Sequence, residues 1–535
     1  MWPSHALGKC SAVTGAILLS VAITGRGESA LSGSTQQIRR AIGEHDFPGV
    51  EPAMDTQEQF IVFSPDRNLS KALLDRALKL RLEIYRFFGI SKVWDEPAFI
   101  LVFPTKERYG VLGTGGASVQ FRYRSQSVRI IGSYIQEGLE ERILPHEMVH
   151  FLIADLATVG SSREGESPQL PFFVNEGIAE YFTASPGRRL LFEKSAWETF
   201  QAGKLQPLRA VVTSTATWAE AKPGAEGART HRAQAYSVVS FLASLPDGNL
   251  KLRNYISAYG TSTGRVPRES ASLQAFETAF RRDYSSWEGL QDRWVQFIRD
   301  REIVVWEGES AFLGDSSGEQ AEVRSVPEEK LWLSGEKELV FHAGKLGSFV
   351  SIQNTLARSG AFDVYAMYIQ GPTSGRFRLA LNNKEFPGVF DAYARTEKIC
   401  EPVHYGKALL AAGTVEARFT VVGKAPVSGG FEVGIDCLLL RRDRALEERN
   451  RAAAQKYLRA GADYYKRKQF KQAEKNFTAA LNLVPGDVTT LEWRAYTRMA
   501  LGRLDEAKQD ADAALKLAPA NRRLIELKKR IKSPG

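Results

Sequence analysis

Two histidines a helical turn apart, with a glutamate beside the first, are the residues of this chain most suited to chemistry. They lie in Leu144-Pro145-His146-Glu147-Met148-Val149-His150-Phe151. On a helix, positions i and i+4 share a face, so His146 and His150 can aim two imidazoles at one cation. Glu147 falls beside that cation, where a carboxylate can accept a proton from an activated water. The chain has only seven histidines, and two of them are here. The plainer alternative is an amphipathic core helix whose histidines satisfy their own hydrogen bonds.

A catalytic zinc site takes three protein ligands and keeps a fourth position open, so two histidines need a partner. Leu170–Phe182 offers one in Asn175-Glu176-Gly177-Ile178-Ala179-Glu180-Tyr181. Glu176 follows His150 by 26 residues, room for a loop and a returning helix. Glu180 lies one turn on, on the same face, where a carboxylate can take the free ring N–H of a ligating histidine.

The pairing of His146-Glu147-x-x-His150 with Asn175-Glu176-Gly177-x-Ala179-Glu180-Tyr181 resembles the gluzincin metallopeptidases, including the exported peptidase MA-like proteins. The resemblance covers roughly residues 58–303. It implies an α+β metallopeptidase domain with Zn2+ on His146, His150 and Glu176. It also implies Glu147 as general base and Glu180 and Asn175 as outer-shell residues. A Tyr or His on a later helix is expected to stabilise the oxyanion; Tyr236 is the first choice and His231 the second. A plain helix aromatic is the competing reading of Tyr236. The Gly-x-Met-Glu-Asn signature of the M1 aminopeptidases is absent, so an endopeptidase is the expected activity and a protein or peptide the expected substrate. A metal-holding scaffold without turnover remains the alternative function.

The elements that must position these residues are legible in outline. Phe60–Phe63 and Ala98–Phe103 read as strands, with a helix between them capped by Asn68 or Ser70 and closed at Gly89. Residues 120–124 and 128–131 read as a hairpin. Pro145 starts or kinks the histidine helix. Phe151, Leu152, Ile153 and Leu156 make that helix apolar nearly all round, which implies burial. Residues 183–303 read as helical, clearest at Arg232–Leu245, Leu250–Tyr259 and Leu273–Asp300.

At 535 residues the chain should hold several domains. From about 304 the pattern turns to alternation, as at Val415, Ala417, Phe419 and Val421, with Gly371-Pro372, Asn382-Asn383 and Gly429-Gly430 as turns. An antiparallel β-sandwich over 304–445 is expected. It resembles galactose-binding-like jelly rolls, which makes a glycan one candidate ligand and a structural spacer the other. In the tail, Ala473, Ala480 and Pro485 recur 34 residues later as Ala507, Ala514 and Pro519. With Tyr457, Gly461, Tyr464 and Phe477, this resembles tetratricopeptide repeats over 446–535, and implies capping helices and a protein partner.

Residues 446–535 carry 20 Lys+Arg against 11 Asp+Glu, which accounts for the whole formal charge of +9. A solvated helix surface explains such charge without nucleic acid, and none is expected as a partner. At the other end, Lys9 and the apolar run 10–24 suit a secretory signal or an N-terminal anchor within 1–27, so export is expected. Residues 28–57 have no period and read as a linker. Cys400 and Cys437 would remain after signal removal, as a disulfide or as two buried thiols.

Overall fold

The computed structural model describes residues 42–44, 46–55, 60–90, 98–109, 118–123, 126–136, 138–158, 169–214, 224–263, 265–308, 312–325 and 337–532. The apolar run 10–24 and most of the loop 160–171 lie outside these residues, as does the Gly-rich stretch 110–117. Among the described residues, no helix is long and apolar enough to cross a membrane. The chain divides into two units, Met1–Ile298 and Arg299–Gly535.

The first unit is built on a five-stranded sheet in the order β1-β2-β3-β5-β4. Its strands are β1 (Ala53–Met54), β2 (Phe60–Phe63), β3 (Ala98–Phe103), β4 (Ser118–Tyr123) and β5 (Gln126–Tyr134). β2, β3 and β5 run parallel, while β4 and β5 form the hairpin, with Tyr123 paired to Gln126. Every residue of β2 and β3 is buried, the pattern of strands covered on both faces. Phe60, Val62, Ala98, Ile100 and Val102 face the main helical core. Ile61, Phe63, Phe99, Leu101 and Phe103 face a second core that includes Ile42 and Phe47.

That second core corrects the linker reading of 28–57. Within its described part, Ile42 and Phe47 are buried, Phe47 packs on the Phe63 and Phe103 rings, and β1 extends the sheet. A two-residue strand and two isolated apolar side chains leave no periodic trace in the sequence.

Helix α1 (Arg67–Phe88) is capped by Asp66, whose carboxylate accepts from Leu69 N at 2.9 Å, so neither Asn68 nor Ser70 is the cap. It ends at Gly89. Helix α2 (Leu144–Thr158) carries the histidines and is preceded by a π-helical turn over Leu139–Ile143. Pro145 therefore follows a helical turn rather than starting the helix, at the junction between the wide π turn and the α-helix. Phe151, Leu152 and Ile153 are buried, as their all-round apolarity demands.

The longer helices that follow are α3 (Phe172–Thr183), α4 (Pro186–Gln201), α5 (Gly224–Ala243), α6 (Gly248–Ser262), α7 (Arg268–Phe280) and α8 (Trp287–Arg299). The single segment expected over Leu273–Asp300 is two helices, separated by residues 281–286. Phe276, Phe280 and Trp294 are core, with Trp287 and Phe297 packed against it. α6 lies so close to α2 that a Cβ on Gly260 would overlap the Ala157 carbonyl oxygen.

In the second unit, two antiparallel sheets enclose one core. Gly375–Leu381, Gly413–Lys424 and Phe349–Leu356 are the middle strands of one sheet; Gly360–Gln370 and Val433–Arg442 are the centre of the other. Val415, Ala417, Phe419 and Val421 all point inward, as alternation predicts. Cys400 and Cys437 are buried free thiols.

Five helices follow: α9 (Arg444–Lys466), α10 (Phe470–Leu483), α11 (Val488–Ala500), α12 (Leu504–Leu517) and α13 (Arg522–Lys532). α10 and α12 begin 34 residues apart, as do α11 and α13. Asp510, almost wholly buried, binds Arg494 through both carboxylate oxygens and Arg498 through one, tying α11 to α12. Only Asp443 separates the last strand of the sandwich from α9. It caps the helix by accepting from Leu446 N and pairs with Lys407 of the sandwich. Glu447 adds an ion pair with Arg442 at 2.8 Å and accepts from Ala361 N.

Candidate metal centre

The site is assembled by four helices of the first unit. α2 supplies His146, Glu147 and His150; their rings meet edge to face, 4.6 Å between centroids. α3 runs past them and supplies Asn175, Glu176 and Glu180. His146 Nε2 lies 3.5 Å from Glu176 Oε2, and His150 Nε2 lies 3.5 Å from Glu176 Oε1. One donor atom from each of the three residues falls within 4.8 Å of the others.

These separations can be tested against a metal. Donor atoms ~2.1 Å from a tetrahedral zinc stand roughly 3.4 Å from one another, and each histidine lies that close to a different Glu176 oxygen. The chemistry fits too, with two imidazoles and a carboxylate. Glu176 Oε2 and His150 Nδ1 are buried without a hydrogen bond in good geometry, a costly state that a cation ligated by Glu176 would relieve for the carboxylate.

The electrostatics favour the ligand forms. Burial holds the His150 imidazole down to about 4, against the pull of Glu176, so it is neutral at pH 7 and keeps a lone pair. Burial works to protonate Glu176, but His146, His150 and Arg232 outweigh it and bring its carboxyl down to about 2. Asn175 lies near enough to His150 to favour its charged form, opposing the burial effect.

Two arginines complete the site, and the sequence reading missed both. Ser185 caps α4 by accepting from Arg188 N, with Pro186 at the first helical position. Arg188 therefore sits in the first turn of α4, from which it reaches back to Glu180, with Nη2 2.8 Å from Oε1. Arg232 comes from α5. Its Nη2 is 3.5 Å from Glu176 Oε2 and its Nη1 3.4 Å from Glu180 Oε1. Arg188 belongs to no motif, and Arg232 adjoins His231 on a helix picked out only for its aromatic and imidazole.

Gly177 explains how α5 comes so close. A Cβ there would lie 2.6 Å from Ala235 O and 2.8 Å from Val239 Cγ2. Arg232, Ala235 and Val239 follow one another at helical spacing, so the face that docks on Gly177 also delivers Arg232.

Glu180 is expected to take a histidine ring N–H. Its oxygen is 4.0 Å from His146 Nδ1, farther than from either arginine. Tyr236 is buried in a small apolar group with Ala184, Phe192 and Ala233, its ring 5.2 Å from that of Phe192. Burial and the nearby Glu193 push its phenol above the usual range. His231 stands edge to face with Phe172, 6.4 Å between centroids. The Tyr236 hydroxyl also interacts with Ser240, one turn on along α5. Glu147 is half-buried on the helix between the two histidines.

No family model and no curated protein matches this chain. Among solved structures it is similar to a Paenibacillus xanthan lyase, at 19% identity over 26% of this chain and 13% of that one, with a TM-score of 0.24. A family 35 carbohydrate-binding module from Clostridium thermocellum is 18% identical over 26% of this chain and 97% of the module, with a TM-score of 0.19. The CBM36-1 domain of a multidomain xylanase from the hindgut metagenome of Trinervitermes trinervoides is 16% identical over 26% of this chain and 96% of that one, with a TM-score of 0.18. The chain spans 13% of the length of the lyase and 28% of a Podospora anserina GH26-CBM35 mannanase. At such scores these likenesses assign no activity.

Proposed function

We propose that the chain is an exported, zinc-dependent peptide hydrolase of gluzincin type. The observation that carries this reading is the convergence of His146, His150 and Glu176 at zinc-compatible separations, with Glu147 on the same helix. When bound, zinc would supply Lewis acidity to a water and to the scissile carbonyl. Glu147 would accept a proton from the attacking water and return it to the leaving amine nitrogen. His146, His150 and Glu176 hold the ion, and the apolar burial of α2 fixes their spacing. Tyr236 or His231 would steady the oxyanion. The helical array, as tetratricopeptide-like repeats, would bind a protein partner, and the sandwich would contact a glycan.

The test is hydrolysis of a generic unfolded protein by the full chain, with and without chelator, beside Glu147→Gln. Glu147→Gln should bind zinc like the unsubstituted chain and lose at least ~10²-fold in rate. Equal zinc binding with no cleavage by either protein would point to a metal-holding scaffold instead. The burial of Tyr236 against Phe192 is the observation that favours that second reading.

A further inference from the structure

The buried carboxylate of Glu180 raises a question that the three ligands do not answer. It is 1% exposed, and an ionised carboxylate at that depth is costly unless paired. It could be an orienting partner for His146, yet the ring nitrogen is the most distant of its three ionisable neighbours. Its pairing is with guanidinium groups from two other helices. One of them, Arg232, uses separate nitrogens for Glu180 and for Glu176, one turn apart on α3.

We propose that Arg232 and Arg188 are positioning residues of the metal centre. Together they hold Glu180, and Arg232 carries that hold across to Glu176, so that a guanidinium bridge sets the third ligand. This rests on the metal reading above. A guanidinium suits the task because its planar fork can engage two acceptors at once, which an ammonium on a flexible stem cannot do in the same geometry. Arg188 meets the same Glu180 oxygen that Arg232 does, which anchors the carboxylate where Arg232 reaches it. The arrangement spans α3, α4 and α5, so the ligand's orientation is tied to helix packing and not to one side-chain rotamer. The competing expectation is simple repulsion: a cationic group beside a cation site should weaken it. The two ideas predict opposite signs.

The experiment is a cobalt(II) titration of the metal-free full chain, following both affinity and the visible ligand-field band. It compares the unsubstituted protein with Arg232→Lys, Arg232→Gln and Arg188→Lys. Bridging predicts a 10–100-fold loss of affinity in both Arg232 variants, with a shifted band in the fraction that still binds. Arg188→Lys should lose less, because it keeps a single pairing. An Arg232→Lys protein that matches the unsubstituted one in affinity and band would overturn the proposal, since charge alone would then suffice. Tighter binding by Arg232→Gln would overturn it in favour of repulsion. If Arg232→Gln fails to fold, Arg232→Lys carries the comparison, because the band reports ligand geometry rather than stability. No cobalt binding by the unsubstituted chain would sink the metal site itself, and this proposal with it.

Discussion

A histidine enclosed with a carboxylate and a guanidinium serves as a ligand only while it stays neutral, and His150 is held that way by burial. The same fact has a thermodynamic cost in acid. Unfolding would let His150 take a proton near its ordinary value of 6.5, while the folded site refuses it down to about 4. The unfolded state thus binds more protons across that window, and folding stability should fall as pH drops from 6.5 to 4. Below 4 this group contributes no further loss. Glu176, held at about 2 against 4.5, adds its own loss between those values. Thermal unfolding of the metal-free chain across pH 7 to 4 should show the slope, and His150→Gln should flatten it. A slope identical in the variant would mean that other groups carry the acid sensitivity.

Helices and strands differ in how plainly the sequence announces them. The inward alternation from Val415 to Val421 was legible because each apolar residue faces a core that tolerates nothing else. The His146–His150 and Glu176–Glu180 spacings were legible for a similar reason, as each pair occupies one helical face. Arg188 and Arg232 were not, since arginine is ordinary on any helix and only the packing of α3, α4 and α5 gives these two a task. Asp66 displaced Asn68 as cap because helix entry is settled within a residue or two by local geometry. Residues 42–54 were hidden by brevity. Because Phe47 fills the second core of the sheet, Phe47→Ala should cost about 3–5 kcal/mol in denaturant unfolding, where a linker residue would cost almost nothing. Gly177→Ala forces the new methyl group on to Ala235 O, so it should cost about 1–3 kcal/mol and weaken metal binding together with stability. Unchanged metal affinity in that variant would separate the α3–α5 contact from the site.

At the scale of the whole molecule, the core of the first unit and that of the sandwich share no residues. Each should therefore fold without the other. Arg299–Gly535 produced alone is expected to unfold in a cooperative transition and to bind no zinc at the His146 site, which it lacks. Met1–Ile298 should retain the full zinc affinity of the intact chain. Molten behaviour of Arg299–Gly535, by near-ultraviolet circular dichroism, would show that its cores depend on the first unit. Within that second unit, the connection through Asp443 leaves no slack. The strand Val433–Arg442 passes into α9 across one capped residue, braced by Lys407 and by Glu447 on Arg442 and Ala361. Two surfaces joined this way behave as marks on a ruler. A target presenting both of its epitopes at the matching distance would gain an effective concentration that a flexible tether could not supply, and a target with any other spacing would gain none.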